Sequence, residues 1–101
     1  MAKDRKKPAE CSCIEDVRYG IDTIDREIID LLAERFEFVK EVVKYKAPTP
    51  ESIIADQRRR EVLKCRRQWA QEKGLDPEVI EEVYDRLIRY FIAEEMKIKN
   101  I

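Results

Sequence analysis

Apolar side chains recur at every third or fourth position from Ile14 through Val17, Ile21, Ile24, Ile28, Leu31, Phe38 and Val42 to Tyr45. That spacing is the stripe of an amphipathic helix, and it predicts one helix from near Ile14 to Lys46, with Gly20 its only weak position. Ala47-Pro48-Thr49-Pro50 stops it, because proline cannot extend the ladder and pushes the residue before it out of helical geometry. A second helix is expected after Thr49 or, with a longer loop, after Asp56, with Val62, Leu63, Trp69 and Ala70 on its apolar face. In Gly74-Leu75-Asp76-Pro77, glycine ends that helix, aspartate caps the next and proline takes its first position. The third helix runs from Pro77 to about Lys99, with Ile80, Val83, Tyr84, Leu87, Ile88, Phe91, Ile92 and Met96 inward. Residues 1–12 read as a disordered polar tail and residues 13–101 as one helical domain. The expected fold is all-α, with three helices, one of them very long.

Length makes the first helix a problem for a single copy. About 32 helical residues span about 48 Å, whereas a compact chain of this size has a radius of gyration near 13 Å and is roughly 33 Å across. The stripe therefore continues where the helix projects beyond its own core. An uncovered stripe of that length is an aggregation hazard, and the simplest cover is a second copy, in an intertwined homodimer.

One residue breaks the stripe. In heptads, one line reads Ile14, Ile21, Ile28, Arg35, Val42 and the other Val17, Ile24, Leu31, Phe38, Tyr45. An isolated buried charge is strongly unfavourable, so Arg35 requires an anionic partner. That partner is either a carboxylate of the protein or a carboxylate of a ligand, which guanidinium grips in bidentate fashion. Lys46 follows after three helical turns on nearly the same face, about 16 Å along, within reach of one small ligand held by two long side chains. Arg18 precedes Arg35 by about 25 Å and, in an antiparallel dimer, enters the partner's site. Arg58, four residues before Val62, edges the apolar face of the second helix. Glu95 follows Phe91 by four and Ile92 by three and so faces inward, where its bland role is a salt bridge to one of these cations or to Lys99. Four cations around apolar walls suit a small, rigid dianion.

Composition narrows the chemistry. The chain is 43% charged, with 21 Lys+Arg against 22 Asp+Glu, so there is no global field to attract nucleic acid or an acidic membrane. The basic run Arg58-Arg59-Arg60, with Lys64, Arg66 and Arg67, is interleaved with Glu51, Asp56 and Glu61 and reads as a solvated face. There is no histidine, which removes Ser-His-Asp and Cys-His constellations and the commonest metal ligand. Cys11-Ser12-Cys13 lacks the further ligands that a zinc site wants, so neither metal nor cofactor is expected. No apolar run of about 18 residues is present, and the N-terminal ten residues lack the apolar core of a signal peptide. Three cysteines with no export signal read as reduced thiols in the cytoplasm.

Two stretches carry a resemblance. ECSCIEDVRYGIDTIDREIIDLLAERFEFVKEVVKYKA holds, in order, an arginine, Ile-Asp-x-Ile-Asp, Leu-Leu-x-x-Arg and Val-x-x-x-Lys. RRQWAQEKGLDPEVIEEVYDRLIRYFIAEE holds Trp-Ala-x-x-x-Gly-Leu-Asp and Ile-Ala-Glu. Over about residues 10 to 99 the sequence resembles the all-helical AroQ class of chorismate mutases, and more closely the branch containing the isochorismate-pyruvate lyases. The resemblance implies a homodimer with two equivalent sites, each completed by Arg18 of the other subunit. It implies that Arg35 grips a substrate carboxylate and that Lys46 lies near the ether oxygen of the enolpyruvyl group. Arg58 comes from the loop and start of the second helix, Val62 and Ile92 form apolar walls, and Glu95 holds a position that is glutamine in many members. Arg59 departs from the many mutases that carry a glutamate there to receive the ring hydroxyl.

The implied reactions are the rearrangement of chorismate to prephenate or the splitting of isochorismate to salicylate and pyruvate. Neither needs a metal, an external base or a covalent intermediate, so a chain without histidine can perform either. Each needs the enolpyruvyl arm folded over the ring and donors aimed at the ether oxygen as its C–O bond breaks. Glu95 can donate only when protonated. The rival from another class is a helical dimerisation module, which explains the stripe but gives no reason for Arg35.

Overall fold

The computed structural model describes residues 5–101. Residues 1–4 of the expected tail lie outside the described residues. A 3-10 turn at Pro8–Glu10 precedes four helices: α1 (Ile14–Val43), α2 (Pro50–Ile54), α3 (Asp56–Glu72) and α4 (Pro77–Lys99). There is no strand among the described residues, and none of their helices is long and apolar enough to cross a membrane. The fold is all-α, built on three long helices and one short one. The chain divides into two compact units, Met1–Phe38 and Val39–Ile101.

The first unit holds most of α1 and the segment leading into it. That segment is tied to the helix by charge. The Asp16 carboxylate accepts from the Ser12 backbone N–H at 3.1 Å, the Ser12 hydroxyl at 3.2 Å and the Lys6 ammonium at 2.9 Å. The Ser12 N–H and then the Lys6 ammonium hold the Asp16 carboxyl down at about 2. Arg5 pairs with Glu27 at 2.7 Å. Gly20 does not interrupt α1, and the Thr23 hydroxyl shares its proton between the carbonyls of Tyr19 and Gly20. Every apolar position of the stripe is exposed in the single chain, up to 72% at Phe38 and 82% at Tyr45.

In the second unit α3 packs along α4 and α2 packs against α4. The core is Val43, Ile53, Val62, Ala70 and Phe91, all buried. Two ion pairs tie α3 to α4, Arg59 to Asp85 and Arg67 to Glu81. The Asp76 carboxylate caps α4 by accepting the N–H groups of Glu78 and Val79. Gly74 adopts φ 76° at the end of α3, a conformation that side chains with a Cβ resist.

Three expectations change. The first helix stops at Val43 instead of Lys46, because Lys44, Tyr45 and Lys46 donate to the carbonyls three residues back and the chain tightens ahead of Pro48. In place of one second helix there are two: α2 begins directly after Thr49, as foreseen, and α3 begins at Asp56, one residue ahead of the alternative start. Thr49 caps the short α2, Ala55 reverses the backbone with φ 47° and ψ 61°, and α3 follows. Trp69 and Val83, expected inward, are about half exposed. Trp69 instead lies under the Arg66 guanidinium, 4.5 Å from its ring centroid, and Val83 shares an exposed flank of α4 with Val79.

Candidate active site

The site can be built upward from Lys46. It sits three residues beyond α1, so the turn at 44–46, rather than helical periodicity, sets the direction of its side chain. Its ammonium donates to Glu95 Oε1 at 2.7 Å and to the main-chain oxygen of Ile53 at 2.9 Å. The Lys46 side chain is 19% exposed and that of Glu95 only 7%. Glu95 is the one buried charged residue among the described residues. Its burial follows from its place on α4, one turn beyond buried Phe91 and half-buried Ile92. Removing two opposite charges from water is costly, and close contact plus hydrogen bonds offsets much of that cost. Of the two bland roles for Glu95, the structure shows a salt bridge to a candidate cation, not to Lys99.

Other expected residues of this unit fall on the neighbouring helices. Val62 is buried on α3, one turn after Arg58, which is exposed on the first turn of the same helix. Ile92 is half-buried on α4, on the face that also carries Glu95. Arg18, exposed, and Arg35, half-buried, lie on α1 in the first unit. The structure thus brings Lys46 and Glu95 into direct contact and sets Arg58, Val62 and Ile92 on helices of the same unit. Two features were not foreseen. The Ile53 carbonyl joins the site, which nothing in side-chain identity could announce, although a paired Ile53-Ile54 inside a supposed loop was a sign of burial. Arg59 is already engaged with Asp85, so the residue that replaces a glutamate found in many mutases has a structural task here.

Residues 17–96 match the family model for chorismate mutase type II. The chain belongs to that family. Every chorismate mutase residue expected at the site, from Arg18 to Glu95, falls inside the matched stretch, whereas Cys11 and Cys13 fall outside it. Among curated relatives of this chorismate mutase type II chain is the isochorismate pyruvate lyase of Pseudomonas aeruginosa. It is 36% identical over 97 residues, covering 91% of this chain and 90% of the relative. The T-protein of Haemophilus influenzae is 38% identical over 82 residues, covering 81% of this chain. That of Enterobacter agglomerans is 36% identical over 87 residues, covering 86% of this chain. The chain spans 22% of the length of either T-protein.

Proposed function

We propose that this chorismate mutase type II chain rearranges chorismate to prephenate. The observation that carries the reading is the buried Lys46–Glu95 pair: an ammonium already held in a water-poor site, as a donor to a breaking ether C–O bond must be. In this reading Lys46 donates to the ether oxygen, where negative charge grows in the transition state. Arg35 and Arg58 grip carboxylates, Val62 and Ile92 wall the ring, and the Glu95 carboxylate holds Lys46. Arg18 enters from the other subunit of a homodimer, a reading supported by the exposed stripe of α1. The rate gain comes from holding the enolpyruvyl arm over the ring and from fixed donors that need no reorganisation. The setting we propose is the cytoplasm, in keeping with three free cysteines.

A second reading, isochorismate to salicylate and pyruvate, is favoured by the near end-to-end match to the Pseudomonas aeruginosa lyase. It uses the same groups, because that path also breaks the ether C–O bond of a dianion. Purified protein given chorismate and isochorismate in parallel, with prephenate and salicylate followed separately, tests both. Turnover of chorismate to prephenate is the expected result. Salicylate alone would move the assignment to the lyase, and no product from either substrate would refute the enzyme reading.

A further inference from the structure

An ammonium has three N–H donors, and two of those on Lys46 are engaged within the second unit, one on Glu95 and one on the Ile53 carbonyl. With Cε and two hydrogen bonds fixed around a tetrahedral nitrogen, the last N–H has one direction left. The Glu95 bond is a pairing of side chains. The Ile53 bond depends on an element, α2, which has only five residues and is too short to persist by helix propensity. Local contacts hold it. Thr49 Oγ1 accepts the Ser52 N–H at 3.2 Å, Ser52 Oγ accepts the Ala47 N–H at 3.0 Å, and the Ile53 residue is 0% exposed. The end of α2 is turned by Ala55, whose left-handed backbone is disfavoured for any residue with a Cβ. Its N–H closes on the Glu51 carbonyl at 3.0 Å. Terminated in this way, α2 leaves the Ile53 carbonyl without a partner inside the helix, and the Lys46 ammonium supplies one.

We propose that Ile53, through its main-chain carbonyl, and Ala55, through the left-handed turn that aims it, are positioning residues that leave Lys46 a single N–H of fixed direction for the substrate oxygen. The proposal rests on the reading of Lys46 as the donor to that oxygen. A lysine on a free four-carbon stem would have to find its direction in each turnover. One already held by two acceptors contributes its donor with no reorganisation at the moment of bond breaking.

The test uses the full chain labelled with 15N-lysine and 13C-carbonyl isoleucine. The free wild-type protein should show a scalar coupling across the hydrogen bond from Lys46 Nζ to the Ile53 carbonyl carbon. Ala55→Val, whose β-branched side chain resists the left-handed region, should weaken the coupling and lower kcat about tenfold or more while KM stays within about twofold. Ala55→Gly, which adopts the left-handed region at no steric cost, should keep both coupling and kcat. A wild-type chain without the coupling overturns the proposal, as does an Ala55→Val chain that loses the coupling yet keeps its kcat. A wild type that shows the coupling but converts neither chorismate nor isochorismate refutes the reaction reading and, with it, the task given to the two residues. Because the coupling is read without substrate, the two failures are told apart.

Discussion

Removing the Lys46 ammonium would strand the Glu95 carboxylate where its side chain is only 7% exposed. An uncompensated buried charge is among the larger single-residue penalties. Lys46→Ala should therefore cost about 3 kcal/mol of stability in urea titrations, together with a loss on the order of 10²-fold in kcat/KM. A variant as stable as wild type would mean that water reaches Glu95 freely. Much of this pair was legible beforehand. Glu95 had to face inward because it follows Phe91 and Ile92 at helical spacing. Its partner was harder to read, since 49 residues separate the two and the Lys46 direction is fixed by a turn, not by the helix assumed to carry it. The Ile53 carbonyl was illegible for a simpler reason: every residue has one, and only the backbone path decides which are left over.

At the level of elements, capping chemistry was the best guide. Asp76-Pro77 marked the start of α4 to the residue, because a carboxylate cap and a proline at the first position each fix one side of that boundary. The end of α1 was misplaced because apolar spacing continues to Tyr45 after the hydrogen bonds have already shortened. The entrance to α1 makes a prediction about acid. The Asp16 carboxyl is held at about 2 by the Ser12 N–H and Lys6, below its unfolded value of about 4. A depressed carboxyl contributes stability above the unfolded value and loses it as pH falls toward the folded one. Protection factors of the amides at the start of α1 should therefore hold down to about pH 4, then fall as pH approaches about 2. In Asp16→Asn that acid-dependent step should be missing. Carbon-13 titration of the Asp16 carboxyl checks the assignment, and a midpoint near 4 would contradict it.

At the scale of the whole molecule, the all-α class was readable from helical apolar spacing carried along three long stretches and from the stop and cap signals between them. The positions misjudged, Trp69 and Val83, are apolar residues that stay about half exposed. Periodicity marks a face as apolar without saying what covers it. The exposed stripe of α1 makes its own prediction. If Arg18 acts in the partner's site, Arg18→Ala and Arg35→Ala homodimers should each be nearly inactive. After mixing, unfolding and refolding together, half of the dimers are mixed and half of their sites carry neither substitution, so about a quarter of all sites should recover. No recovery on mixing would mean that both arginines serve the same subunit. The tie between Arg59 and Asp85 also bears on how such a protein can change over generations. A glutamate arriving at position 59 would face the Asp85 carboxylate across two packed helices, so that replacement is easier once position 85 has changed. Two lineages with identical pockets can thus differ in which ancestral states remain open to them, for a reason that sits on the seam between helices.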